Sequence, residues 1–366
     1  MVAESLMTPA AVAAGRRAEP PAELQGVQVL RGAAAVAVLV HHALEELSGA
    51  GMPDFVVRAG AAGVDLFFVI SGFIMLYTAG RSFGAPGAAG DFLVRRLIRI
   101  GPLYWLCTAF IIAAHLSGVA YQNREVTLAG ATASLLFWPT DGLILNVGWT
   151  LVFEMYFYVL FALCLWLGRS ATAAWGVPML IVAAIGLGHL LPDGPVRDHL
   201  TNRIALEFAF GMGLAALYRS GRLTGRFALP VLAVGVAGLA AGSALAPPDG
   251  TAGLAPEWRF LAWGAPAALV VYAALFTGEI RSRLGRWWLA LGDASYSLYL
   301  THAIVMTTFA RALKVPAVAA LPTVLLFAAA VAAALATAWI TYLAVERPLT
   351  EALKRAWARR PRTAAP

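Results

Sequence analysis

The chain has 366 residues, 60% of them hydrophobic and 13% charged, and a mean hydropathy of +0.74. Soluble domains carry about 45–50% apolar and about 25% charged residues, so a water-soluble globule is excluded, as are disordered and collagen-like chains, which need little apolar material. The net charge of +7 would suggest nucleic acid in a soluble protein. In so apolar a chain it fits cytoplasmic loops rich in Lys and Arg, so the expected partner is the lipid bilayer and no nucleic acid is expected.

Residues 1–23 hold Glu4, Arg16, Arg17, Glu19 and Glu23, without the apolar core and cleavage site of a signal peptide. They read as a disordered cytoplasmic lead. Apolar runs follow at about 24–47, 61–80, 97–117, 147–168, 172–192, 203–219, 226–246, 258–278, 290–310 and 317–345, each long enough to cross a bilayer or nearly so. A further run at 128–138 is too short and ends at Pro139, so it reads as re-entrant or interfacial. The expected fold is therefore all-α, a polytopic membrane bundle of about ten transmembrane helices over 24–349, with a basic cytoplasmic tail at 350–366. With ten spans, 20 of the 27 Arg and Lys lie on the side of the N-terminus and 7 on the other. This bias makes both termini cytoplasmic. Gly238 and Gly242 form a GxxxG pair suited to close helix packing. Cys107 and Cys164 are too few for a disulfide framework and read as packing residues.

Charged groups inside apolar helices are costly, by roughly 2.5–3.5 kcal/mol on insertion scales, and are candidate functional groups. In the first run Arg31 and His42 are eleven residues apart, three helical turns, so they share one face about 16 Å apart along the axis; His41 points away. Asp65, in the second run, enters from the outer side to the depth of His42, where a carboxylate could orient the imidazole or act as a structural cap. Arg95, Arg96 and Arg99 cluster at the inner end of the third run, as topogenic charges or as a phosphate clamp. Glu154 lies in the outer half of the next span with Tyr156 and Tyr158, and Trp149 before it is either an interfacial residue or a sugar-stacking platform. Glu207 could pair with Arg203, and His302 is open to ligand, relay or core roles. The His residues are scattered, so no metal set is expected, and no GxSxG or Walker-type loop occurs.

Taken together, LRGAAAVAVLVHH, GVDLFFVISGFIM, RRLIRIGPLYWL, GWTLVFEMYFYVLF, LGDASYSLYLTH and VERPL resemble the acyltransferase-3 family of integral membrane acyltransferases, and the WTLVFEMYFYVLF stretch looks most like its exopolysaccharide O-acetyltransferase branch. The family's Arg-x10-His pattern lands on Arg31 and His42 and its Arg-x-x-Arg on Arg96 and Arg99. Gly101 stands where Tyr is commoner before Pro102. The resemblance implies transfer of an acyl group, usually acetyl, from cytoplasmic acyl-CoA to a hydroxyl at or beyond the outer face of a bacterial inner membrane. Acetyl-CoA would be a donor substrate and no cofactor would be permanently bound. The acceptor would be a carbohydrate such as exopolysaccharide or its lipid-linked precursor, or else a macrolide or similar glycosylated metabolite.

In this layout Arg95, Arg96 and Arg99 hold the donor phosphates. His42 takes the acceptor proton or carries the acyl group, and Asp65 or Glu154 orients it. Arg31 steadies the donor or a developing negative charge, while Trp149, Tyr156 and His302 meet the acceptor. A transporter or flippase is the rival class, but the paired repeats expected of one are not evident.

Overall fold

A computed structural model describes residues 24–47, 52–79, 83–122, 125–168, 170–249 and 253–360, without the side chains of 170–173. The expected N-terminal lead at 1–23 and the last six residues of the expected tail lie outside these. The chain is nearly all helix. Taken in order, α1 is Gln25–Glu46, α2 Asp54–Ala79, α3 Ala88–Leu116, α4 Leu128–Leu136, α5 Trp149–Trp166, α6 Ser170–Gly188, α7 Pro195–Thr201 and α8 Leu206–Arg219. After these come α9 Ala228–Leu245, α10 Ala265–Ala274, α11 Arg283–Asp293, α12 Ser295–Ala312, α13 Thr323–Thr341 and α14 Arg347–Ala358. A helix occupies every one of the ten apolar runs. Among the described residues six helical stretches are long and apolar enough to cross a membrane, those beginning at Gln25, Asp54, Ala88, Asn146, Gly225 and Thr323. The only strands among the described residues are Pro248–Asp249 and Gly253–Leu254, paired antiparallel in a hairpin after α9.

Local sequence accounts for the punctuation. The short run ends as expected: α4 has only 9 residues, is capped by the Thr127 hydroxyl accepting from Gly130 N–H, and stops where Phe137 turns to a positive φ of 54° ahead of Pro139. Ser282 caps α11 in the same way, accepting from Gly285 N–H. Two π turns interrupt the ladder, Phe260–Gly264 before α10 and Tyr342–Glu346 between α13 and α14. The segment expected as a tail from 350 is helical through Ala358.

We call the end where α1 begins the foot of the bundle and the end where it stops the head. Packing is closest between α2 and α8. A Cβ on Gly72 would lie 2.1 Å from the Phe208 carbonyl oxygen, and one on Gly211 2.0 Å from that of Val69. The two backbones therefore touch, and no side chain fits between them. The GxxxG pair acts likewise, since a Cβ on Gly242 would meet the Ala262 carbonyl oxygen at 2.2 Å. Both cysteines are buried in the packing, as expected.

Backbone oxygens cannot yield as flexible side chains do, so Gly72→Val should force α2 and α8 apart. Overpacking costs about 1–3 kcal/mol even where neighbours can adjust. The variant should lose most of its monodisperse peak in detergent chromatography, while Gly87→Ala, where a Cβ meets nothing within 4 Å, should retain it despite its positive φ.

Candidate functional site

A cavity of about 390 Å³ runs between α1, α2, α3, α5 and α12. Its foot is framed by Leu24, Gln28, Arg31, Arg96 and Arg99, its middle by Ser71, Glu154 and Tyr158, and its head by Val64, Thr150 and Tyr299. Four candidates from three helices, Arg31 of α1, Arg96 and Arg99 of α3 and Glu154 of α5, thus converge on one space.

Each is held differently. Arg31 donates to Gln28 at 3.2 Å, and Gln28 in turn donates to Asp293 at the end of α11. Arg96 lies over the rings of Phe92 and Tyr158, at 5.4 and 5.7 Å. Arg99 forms an ion pair with Glu346. Glu346 ends the π turn after α13, is 2% exposed, and also accepts from the Ser297 amide at 3.1 Å and the Ser297 hydroxyl at 2.6 Å. Glu154 accepts from Tyr158 one turn on, and from Ser71 at 3.2 Å. The cavity is therefore lined by three guanidinium groups and one carboxylate, Glu154, with the Glu346 carboxylate paired to Arg99 outside the lining. That balance favours an anionic guest at its foot.

Arg95 is not part of this lining. It is exposed and bonded to Asp91 at 2.7 Å. The expectation that Asp65 or Glu154 orients His42 is also corrected. Asp65, fully buried, takes a bidentate pair of bonds from Arg259, at 3.0 and 2.9 Å. Arg259 looks like a loop residue in the sequence, yet its side chain is 13% exposed. An ion with no water must find a counter-ion, and Asp65 finds it across 194 residues. Glu207 does not pair with the exposed Arg203. It is buried beside Asp65 and Arg259, and among the described residues no cation is bonded to its oxygens.

Trp149 packs inward, edge-on to Phe68 and Phe153, with Arg259 5.9 Å from its ring. Tyr156 meets His199 edge-on at 5.6 Å, away from the cavity. His199, in the short helix α7, stacks 3.9 Å from Phe153, and its burial pushes the imidazole down to about 4.

His42 belongs to a cluster the sequence does not reveal. Its Nδ1 lies 2.8 Å from Glu45 Oε2, its ring stacks on His302 at 5.2 Å, and His41 is 4.8 Å away. His41 Nδ1 donates to the Val57 carbonyl at 2.7 Å. His302 Nδ1 donates to Leu298, leaving a buried Nε2 without a partner. Tyr299, whose ring centroid is 5.8 Å from that of His302, stands between this cluster and the cavity and is fixed by Thr150 at 2.9 Å. His41, His42 and Glu45 present ligand atoms within 4.8 Å of one another, a group able to hold a metal ion where the scattered sequence positions suggested none. Glu45 and Glu346 were both missed as site residues. Glu45 had a local signal, three residues beyond His42. Glu346 lies in VERPL, which marked it only as part of a motif.

Asp65→Ala should destabilise by about 3–5 kcal/mol, because it strands the Arg259 charge. Asp65→Leu combined with Arg259→Met should recover most of that in a thermal melt. A stable but inactive Asp65→Ala protein would instead make the carboxylate catalytic. A second expectation concerns pH. Folded His199 refuses a proton that the unfolded chain accepts below about 6.5. Stability should therefore be full above that pH and fall by up to about 3 kcal/mol as pH drops towards 4, and His199→Phe should flatten the slope.

Comparison with known proteins identifies a family. The acyltransferase-3 family, described as an acyltransferase domain, matches residues 24–343. The exopolysaccharide production protein ExoZ of Rhizobium meliloti (strain 1021) is 37% identical over 315 residues, covering 82% of this chain and 92% of that protein. No solved structure matches. With apolar helices long enough to cross a bilayer and a family match over most of its length, the chain is a multi-pass membrane protein and belongs to the acyltransferase-3 family.

Proposed function

We propose that the protein is an O-acyltransferase (EC 2.3.1.-) that moves an acetyl group from cytoplasmic acetyl-CoA to a carbohydrate hydroxyl of an exopolysaccharide or its lipid-linked precursor. In this reading all ten apolar runs cross the inner membrane, the foot and both termini are cytoplasmic, and the head faces outward. The carrying observation is the cavity, with three guanidinium groups at its foot and the His42 cluster beyond its head. The name of the ExoZ relative supports the choice of acceptor.

The chemistry follows from the two levels. Arg96 and Arg99 hold donor phosphates through planar guanidinium forks. Arg31, about 16 Å down the helix from His42, steadies the donor where its arm enters between the helices. Glu154, held by Ser71 and Tyr158, lines the arm's path. His42 donates Nδ1–H to Glu45, so the lone pair is on Nε2, which removes the proton from the acceptor hydroxyl as that oxygen attacks the thioester carbon. The carbon–sulfur bond breaks, and the thiolate of the departing CoA takes up the proton from the imidazolium. His302 packs against the base, and the acceptor approaches from the head.

Purified protein given acetyl-CoA and a polysaccharide acceptor should release CoA; a transporter would not. His42→Ala should cut this release by about 10²–10⁴ while still binding donor. Glu45→Gln should lower kcat with KM for the donor little changed. Arg96→Ala with Arg99→Ala should raise KM for the donor. Added EDTA should leave the rate unchanged if the imidazole is the base; loss of activity would transfer the role to a metal at His41, His42 and Glu45. Mass spectrometry of surface glycans from a deletion strain, unchanged in acetylation, would overturn the choice of acceptor.

A further inference from the structure

The last turns of α1 carry a donor set that the acyl-transfer chemistry uses only in part. His41 and His42 follow one another and Glu45 comes one turn later, so both imidazoles reach the same carboxylate. His42 Nδ1 lies 2.8 Å and His41 Nε2 3.5 Å from Glu45 Oε2, and the three ligand atoms lie within 4.8 Å of one another. Ligands of a tetrahedral zinc ion, each about 2.0–2.2 Å from the metal, stand about 3.3 Å apart. Two edges of the triangle bracket that value, and the partly exposed ring of His42 can turn to close the third.

Two further features favour a cation. His41 is buried and fixed from α2. Its Nδ1–H donates to the Val57 carbonyl at 2.7 Å, and a Cβ on Gly60 would stand 2.9 Å from its own Cβ. The Nε2 therefore keeps its lone pair, on the side of Glu45. A ligating histidine ordinarily donates its other ring N–H to a carbonyl or carboxylate, and His41 is already held in that way. The group also lies where α1 ends, at the negative pole of the helix dipole. His42 and Glu45 are open enough to admit an ion from the head.

We propose that His41 Nε2, His42 Nδ1 and the Glu45 carboxylate form a binding site for a divalent cation of the zinc class, and that the ion switches the base off. A neutral imidazole ligated through Nδ1 carries its one proton on Nε2. As the ion enters, the Nδ1 proton passes to water and Nε2 takes one up. The imidazole stays neutral, but an N–H now stands where the lone pair was. Glu45 thus serves two exclusive states. Either it accepts from Nδ1–H and Nε2 is free, or it joins Nδ1 on the metal and Nε2 is blocked. Two imidazole nitrogens with one carboxylate oxygen suit zinc, whereas magnesium prefers oxygen alone. The masking rests on the assignment of His42 as base; the ion site does not.

Full-length protein in detergent, stripped with EDTA, desalted and titrated with Zn²⁺ by calorimetry, tests this. Wild type should bind one ion per chain, and Mg²⁺ should not compete. Glu45→Gln and His41→Gln should each weaken binding at least about tenfold, the scale of losing even an outer contact of a metal site. If His41→Gln gives no monodisperse peak, Glu45→Gln decides alone. CoA release should fall as Zn²⁺ fills the site and return with EDTA. Each variant, measured against its own metal-free rate, should need correspondingly more Zn²⁺ for half inhibition. Absent binding, or equal binding in wild type and variants, would overturn the site. A filled site with undiminished or raised CoA release would overturn the masking. In that event an inactive metal-free His42→Ala leaves the base assignment standing, whereas wild-type release from it removes the base as well.

Discussion

The carboxylate of Glu346 is the point on which the foot of the bundle depends. Nearly without access to water, it must be satisfied by protein groups, and it is met from two other helices, by Arg99 of α3 and by the amide and hydroxyl of Ser297 in α12. A single ion-pair junction thereby sets the spacing of α3, α12 and α13. The cavity opens between those elements and α1. The π turn that presents Glu346 is local evidence of the same demand. An extra residue in the helical ladder re-aims a side chain, and such turns recur where position matters more than regularity.

Asp65 and Arg259 impose a similar constraint on the opposite half. Their bidentate pair joins α2 to the turn before α10, and α2 is also locked to α8 by the contact of Gly72 and Gly211. This half supplies a rigid wall, whereas the charges around the cavity are only partly compensated. The division separates roles that residue type alone does not. Asp65 and Glu154 are both carboxylates in apolar helices, but one is spent on holding the fold and the other faces open space. In the same way Arg95 is neutralised by Asp91, while Arg96, one residue on, rests on aromatic faces with its donors free for a guest.

The cavity and the histidine cluster are separated by tyrosine. Tyr299 lines the cavity, is fixed by Thr150, and lies against His302, which stacks on His42. From the foot of the cavity, Tyr299 is reached before the His302 and His42 rings. Glu45 completes the histidine cluster from within α1, at a spacing of three residues that any helix brings together.

Much of this was legible before the fold. Hydrophobic run length reports how a chain partitions into lipid, so the helices and the short α4 could be read from composition, and a shared face for Arg31 and His42 followed from helical periodicity. Matching motifs in order pointed to the family. What the sequence could not decide was pairing across long separations. Arg259 is 194 residues from Asp65 and Glu346 is 247 from Arg99, and no local rule connects them. The stacking of His302 on His42 was hidden for the same reason, whereas His41 and Glu45 lie within one helical turn of His42. In a medium without water each buried charge takes whichever partner the helix packing brings near, so a charge's presence is written in the sequence, but its partner, and with it its role, is decided only when the helices assemble.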